Sequence, residues 1–245
     1  MITSQWQGKK VAFLGDSFTD YNRGEIKKYW EYLQEDLGII PFSYGVSGHR
    51  WIDALPQAQK LKEEHGDDLD AVFLFFGTND YRSSIPLGEW FNTRQEYVIG
   101  PGGTERLTYR RTHTTGNDTM RGCVNEAMAF VKENFPLQQV ILLTPTHRAY
   151  AKFSEENVQP SEEYANFLGI YHDAYVEVVR EASKIWAVPL IDLYSESGLY
   201  PLAKAQEAPY YRPDFPDMLH PNPNAQRRIE QVMLYHLLNM PATFR

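Results

Sequence analysis

A serine hydroxyl attacks a carbonyl carbon only when a neighbouring base takes its proton, and a histidine serves as that base when a third group holds its ring. Two short stretches of this chain supply those residue types. Gly15-Asp16-Ser17 directly follows an apolar run, Lys10-Val11-Ala12-Phe13-Leu14. Near the other end stands Asp217-Met218-Leu219-His220-Pro221-Asn222. An aspartate three residues before a histidine can accept from one ring nitrogen and leave the other free to take a serine proton. Each stretch alone also has a plain structural reading. Gly-Asp-Ser suits a turn glycine and a helix N-cap, and Asp-x-x-His suits a capping aspartate beside an unrelated histidine.

Two further stretches carry donors that an oxyanion could use. Asn79, in Gly77-Thr78-Asn79-Asp80, has a side-chain amide. Gly48, in Gly45-Val46-Ser47-Gly48-His49, could bring a bare backbone N–H close to a ligand. Asp16 directly precedes the serine and reads as a loop stabiliser. Asp192, at the end of an apolar run, is the second choice for the acid. His49 and His147 follow strand ends and are candidate pocket residues, whereas His65, His113, His172 and His236 read as structural, and Cys123 as core. No histidine–carboxylate spacing of the metal-binding kind occurs.

The elements that would position these groups are legible as short apolar runs alternating with helical stripes. Lys10 to Leu14, Phe42 to Val46, Ala71 to Phe76, Val140 to Leu143 and Val188 to Asp192 read as strands. Ile26, Trp30, Leu33 and Leu37 recur at helical spacing, as do residues in 54–64, 120–131 and 167–185. Asn222-Pro223 opens a last helix with Ala225, Ile229, Val232, Met233 and Leu237 inward. A helix after the first strand would point its N-terminus at Ser17. Residues 81–118 show no steady period and contain Pro101-Gly102-Gly103, so they read as an inserted excursion with a hairpin. Strands buried on both faces imply a single α/β domain, a three-layer α/β/α sandwich with ligands at the carboxyl ends of its strands.

The bulk properties agree. The chain has 245 residues, 42% of them hydrophobic, with a formal net charge of -8. That balance argues against nucleic acid or an anionic membrane as partner, since both demand clustered Lys and Arg. One cysteine excludes an internal disulfide. A polar start without an apolar leader, and no long apolar segment, predict a cytoplasmic protein. The sequence leaves homo-oligomerisation open.

Taken together and in order, Gly-Asp-Ser, Ser-Gly, Gly-x-Asn-Asp and Asp-x-x-His-Pro resemble the SGNH (GDSL-type) hydrolase superfamily, from Lys10 to about Leu238. The resemblance implies a flavodoxin-like five-stranded parallel sheet and a serine esterase needing no cofactor. It places the nucleophile on Ser17, the acid and base on Asp217 and His220, and the oxyanion hole on the N–H groups of Ser17 and Gly48 with the Asn79 amide. Two departures stand out. Ser43 occupies a place where an asparagine is common, which touches support of the loop, and the 81–118 excursion exceeds that of the smallest members.

The low hydropathy and the lack of an apolar lid argue against long-chain lipid. Tyr81, Arg82, Trp90, Tyr97, Arg110, Arg111, His147 and Arg148 lie near strand ends or in the excursion. Such side chains could stack on and hydrogen-bond an acylated carbohydrate, with His49, Tyr81, His147 and Arg148 as the expected substrate contacts; equally, they could pack the excursion onto the domain. The reading is removal of a small acyl group, acetyl above all, from a carbohydrate-like alcohol. Its rivals are a thioesterase or lysophospholipase, a non-catalytic ligand-binding module, and a flavin or nucleotide binder. Asp16 and Asp20 in the loop after the first strand would repel the phosphate of that last rival.

Overall fold

The structure is a computed structural model that describes residues 4–22, 26–212 and 215–244. In chain order the elements are β1 (Lys10–Gly15), α1 (Tyr29–Leu37), β2 (Ile40–Ser43), α2 (Ala54–His65), β3 (Ala71–Phe75), α3 (Thr78–Arg82), β4 (Phe91–Ile99), β5 (Glu105–His113), α4 (Met120–Asn134), β6 (Gln139–Leu143), β7 (Ala151–Lys152), β8 (Val158–Gln159), α5 (His172–Ile185), β9 (Leu190–Ile191), α6 (Leu193–Glu196), α7 (Glu207–Tyr210) and α8 (Pro223–Leu238). Five strands form one parallel sheet in the order β2-β1-β3-β6-β9.

The period-two geometry of a strand sends alternate side chains to opposite faces. Ala12, Leu14, Val72, Leu74, Val140 and Leu142 meet α2, α4 and α5 on one face, with Trp51 and Cys123 in the same cluster. Val11, Phe13, Ala71, Phe73, Ile141 and Leu143 meet α1 and α8 on the other. Both faces are therefore apolar, which explains why the strands read as unbroken runs. Each buried aliphatic or aromatic side chain contributes roughly 1.5–3 kcal/mol, so neither layer is dispensable.

Several boundaries move. The second strand begins at Ile40 and ends at Ser43, so residues 44–46 belong to the loop that follows. The helix expected from Phe167 starts at His172; Phe167 is 99% exposed, and the loop before the helix is closed by Asn166, which accepts from Leu168 and Ile170. The helix expected right after β1 is a single turn, in which Thr19 and Asp20 donate to the Asp16 carbonyl; α1 begins only at Tyr29. The dipole of a long helix therefore does not begin at Ser17. The 81–118 excursion does contain a hairpin: β4 and β5 pair antiparallel over nine residues each. Tyr97, Ile99, Leu107 and Tyr109 share one face of that ribbon and are at least half exposed. No helix among the described residues is long and apolar enough to cross a membrane.

Candidate active site

All of the singled-out stretches arrive at the carboxyl edge of the sheet. The turn after β1 carries Ser17. Gly45, after β2, packs so close to it that a Cβ would stand 2.6 Å from the backbone of Thr19 and Asp20. Ser43 Oγ donates to the Thr19 carbonyl at 2.9 Å, the loop support expected of it. Gln57 clips the end of β1 from α2: its Oε1 accepts from Gly15 N–H and its Nε2 donates to Gly15 O, both at 2.9 Å. The same Nε2 lies 2.8 Å from His49 Nδ1, which makes Nδ1 an acceptor and leaves the ring proton on Nε2.

Across this edge, Ser17 Oγ lies 3.0 Å from His220 Nε2, and His220 Nδ1 lies 2.9 and 3.0 Å from the two oxygens of Asp217. All three residues are largely buried, at 3–8% exposed, and Ser17 and His220 also line a cavity. Asp217 Oδ1 also accepts from the N–H groups of Leu219 and His220. Burial raises the Asp217 carboxyl, but the His220 ring and these two N–H donors outweigh it and hold the group below the ordinary carboxylate range.

The histidine loop is fixed from both sides. Backbone bonds join Met218 to Ala149 and Tyr150, and Lys152 to Pro216, so residues 149–152 run beside the 216–218 strip. Asn222 then caps α8, its side chain accepting from Asn224 and Ala225 N–H. Phe18 and Phe153 flank the imidazole at 5.9 and 5.3 Å between ring centres.

Ser17 and His220 open onto a cavity of about 430 Å³, which Gly48 and Asn79 also line. Gly48 sits at φ 86°, in the left-handed region, and nothing lies near its missing Cβ. The backbone N–H groups of Ser17 and Gly48 take no hydrogen-bond partner among the described residues. The Asn79 amide donates to His49 O at 3.0 Å and, more weakly, to Asp16 Oδ2 at 3.3 Å. Asp16 also accepts from Phe18 N–H, in keeping with its reading as a loop stabiliser.

Asp80, next to Asn79, ties the two loops together. Both of its carboxyl oxygens lie 3.2 Å from Trp51 N–H, so the loop bearing Gly48 is held against α3. Burial pushes the Asp80 carboxyl up to about 7, against the pull of Trp51 N–H and Arg50, while Asp16 adds to the rise. A carboxyl raised from 3.8 to about 7 contributes stability that is full below pH about 4 and is lost as pH rises through 7. Wild type should therefore lose stability relative to Asp80→Asn between pH 5 and 8, in urea unfolding followed by circular dichroism. Parallel pH profiles for the two proteins would rule this out.

The expected substrate contacts need correction. Tyr81 and Arg148 are both 0% exposed and line no part of the cavity. The Tyr81 hydroxyl lies 2.6 Å from the Tyr164 carbonyl, and the Arg148 guanidinium bonds Thr78, Gln159 and Pro160. Each long side chain reached the interior because buried acceptors satisfy its polar head. His147 Nδ1 is 2.6 Å from Glu162, and its ring stacks on Tyr194, away from Ser17. His49 faces a separate groove of about 620 Å³ beside α2. Asp192 is engaged by Arg180, Thr144 and Ser195, so it does not hold His220.

Trp90 is buried with its indole N–H on Glu181, and Arg110 pairs with Glu96 on the ribbon. Of the aromatic and arginine set, only Arg82 lines the cavity. The remaining wall is Ser47, Phe153, Asn157, Gln159 and Leu219. Phe153, Asn157 and Gln159 come from the 149–161 segment, whose sequence reads only as a polar loop; its sole local signal is the turn chemistry of Ser154, which accepts from Asn157 N–H.

Comparison with known proteins gives the family and the fold. The model of the GDSL-like Lipase/Acylhydrolase family matches residues 13–228. A search of curated proteins gave no match. Among solved structures, a protein from Lactobacillus plantarum is 24% identical, with a TM-score of 0.70 over 94% of this chain and 97% of that one. A possible lipase from Chitinophaga pinensis is 17% identical, with a TM-score of 0.68 over 94% and 99%. An acetylxylan esterase from Geobacillus stearothermophilus, solved as a catalytic aspartate-to-alanine mutant, is 19% identical, with a TM-score of 0.52 over 96% and 95%. The same enzyme, solved as a catalytic histidine-to-alanine mutant, gives 0.51.

Proposed function

The chain belongs to the GDSL-like Lipase/Acylhydrolase family, and we propose that within it this protein is a serine esterase that removes a small acyl group, acetyl above all, from a hydroxyl-rich alcohol. The observation that carries this is the row Ser17 Oγ, His220 Nε2, His220 Nδ1, Asp217, with neighbours at 3.0 and 2.9 Å and its serine end open to a cavity. In the acetylxylan esterase mutants the two catalytic residues replaced, an aspartate and a histidine, are also three positions apart.

The reaction would run as follows. His220 Nε2 takes the Ser17 proton as Oγ bonds to the ester carbonyl carbon. The N–H groups of Ser17 and Gly48 and the Asn79 amide receive the oxyanion. His220 returns the proton to the departing alcohol oxygen, leaving an acyl group on Ser17. Water, deprotonated by His220, then releases the acid and restores the serine. The bond of Asn79 Nδ2 to His49 O at 3.0 Å holds the amide in place before charge develops, and its second N–H, only weakly engaged by Asp16 Oδ2 at 3.3 Å, turns to the oxyanion. Asn79→Ala should lower kcat about a hundred- to a thousand-fold with little change in KM. A loss confined to KM would move Asn79 out of the oxyanion hole.

The cavity supports a small acyl group and a polar alcohol. Phe153 and Leu219 are its large apolar side chains, against Asn157, Gln159, Asn79, Ser47 and Arg82. A thioesterase or lysophospholipase would need a longer apolar channel than these two supply. The test is hydrolysis of 4-nitrophenyl acetate, butyrate and octanoate, alongside acetate release from acetylated xylan. Acetate should give the highest kcat/KM; a rise toward octanoate would favour the lipid reading, and inactivity on every ester would favour a binding module.

A further inference from the structure

Within the cavity, Arg82 is an unusual wall residue. It is exposed, it shares the wall with Ser17, Gly48 and Asn79, and it has no ion pair or hydrogen bond among the described residues. Several other arginines are matched, Arg121 with Glu181, Arg180 with Asp192 and Arg227 with Asp36, and those that have no ion pair among the described residues, such as Arg111 and Arg212, lie over the rings of Phe91 and Phe215 outside this cavity. A solvated arginine on open surface needs no ligand. This one stands in the wall that a substrate must touch, and no carboxylate lines that cavity. Asp16 and Asp217 stand behind Ser17 and His220, engaged by Asn79 and the imidazole.

The base of Arg82 is rigid. Ser83 N–H closes the α3 turn on Asn79 O at 2.9 Å, and Tyr81 beside it is wholly buried. A second cation lies beneath. Arg148 is 0% exposed, and its guanidinium hydrogen-bonds only neutral acceptors, those of Thr78, Gln159 and Pro160. Burial pulls Arg148 down to about 10 and nearby Tyr81, Glu162 and Asp16 pull it back up, while Arg82 adds a small push down. Arg148 also holds Gln159 Oε1 at 3.1 Å, and Gln159 Nε2 donates to Asn157 Oδ1 at 2.9 Å. Two amides of the cavity lining are thereby fixed, suited to hydroxyl groups.

We propose that Arg82 receives a carboxylate carried by the substrate, so that the preferred esters are anionic and hydroxyl-bearing, such as an acylated sugar acid. A guanidinium matches the planar, two-oxygen face of a carboxylate better than any other side chain does. The inference rests on the esterase reading above.

Two matched pairs of esters test it. 4-Acetoxybenzoate and its methyl ester place the carboxylate, or its neutral equivalent, on the alcohol half. The mono-4-nitrophenyl ester of adipic acid and 4-nitrophenyl hexanoate do so on the acyl half. Arg82→Gln should lower kcat/KM for one or both anionic esters by about tenfold or more, and leave the neutral partners within about twofold. Arg82→Lys should keep part of the difference, and molar salt should erase much of it in wild type. The anionic ester that responds identifies the half. Equal effects on charged and neutral esters, or none on either, overturn the inference. Binding of 4-hydroxybenzoate, followed by NMR titration in wild type and Arg82→Gln, reads the same contact without turnover. Inactivity of wild type on every ester, with that binding still weakened by the substitution, would sink the esterase reading alone. Binding of 4-hydroxybenzoate unchanged by the substitution, together with no loss on the adipic monoester, would sink this one.

Discussion

Ser17→Ala lowers the turnover of 4-nitrophenyl acetate by on the order of a million-fold, to what the remaining cavity gives without a nucleophile. The size of the loss follows from the site. Ser17 Oγ is the one hydroxyl set 3.0 Å from His220 Nε2, and no other nucleophilic side chain among the described residues meets that nitrogen. Ser47 shares the cavity, but its hydroxyl donates to Asp20 at 2.7 Å and is committed there. Removing Oγ leaves the backbone turn intact, because Thr19 and Asp20 hold it through the Asp16 carbonyl. Folding should therefore be unchanged by circular dichroism and thermal melting while the burst of 4-nitrophenol disappears. A mutant retaining a tenth of the wild-type rate would place the nucleophile elsewhere.

Asp217→Asn should cost about ten-thousand-fold in kcat, with KM near wild type. The carboxylate meets the Nδ1 edge of the ring with both oxygens, at 2.9 and 3.0 Å, so Nδ1 carries the proton and Nε2 accepts from Ser17. An amide in its place presents N–H₂ to that edge as readily as oxygen. The ring then turns Nδ1 into an acceptor and puts its proton on Nε2, where no base remains for the serine. Asp217 sits below the ordinary carboxylate range because the ring and two backbone N–H groups outweigh its burial, so it stays charged well into acid. Raising the pH will not rescue the amide variant. Asp192→Asn is the control: its partners are Arg180, Thr144 and Ser195. Activity should survive that change to within a few-fold, and a larger loss there than at Asp217 would exchange their roles.

Much of this architecture is legible before folding. The runs at 10–14, 71–76 and 140–143 are apolar at every position, because both faces of a parallel sheet are covered. The start of α8 reads from Asn222-Pro223, where the cap is local chemistry. The ends of β2 and α5 do not. Residues 44–46 lie beyond the regular strand, which ends at Ser43, yet Tyr44 and Val46 N–H still donate to Phe13 O and Gly15 O before the chain turns into the Gly48 loop. Phe167 and Tyr171 continue a helical period but stand in a loop that Asn166 closes through its side chain.

The chain by itself determined the layers, the edge of the sheet where the chemistry gathers, and the presence there of Ser17, Asn79, Asp217 and His220. Periodicity encodes the layers and the edge within windows of a few residues, whereas the four residues are picked out by the order of their motifs and the family resemblance that order carries, each stretch alone having a plain structural reading. Only the tertiary structure decided which long polar side chains face the cavity. Arg82 and Arg148 look alike in sequence, yet one lines the wall and the other is sealed beneath it. The difference is that Thr78, Gln159 and Pro160, from separate segments, converge to supply the acceptors that make burial of a guanidinium tolerable. The same holds for the Asn157–Gln159 wall and the clip of Gln57 on β1. The clip joins residues 42 positions apart, and the wall combines a local bond from Gln159 to Asn157 with the hold of Arg148, 11 positions before Gln159.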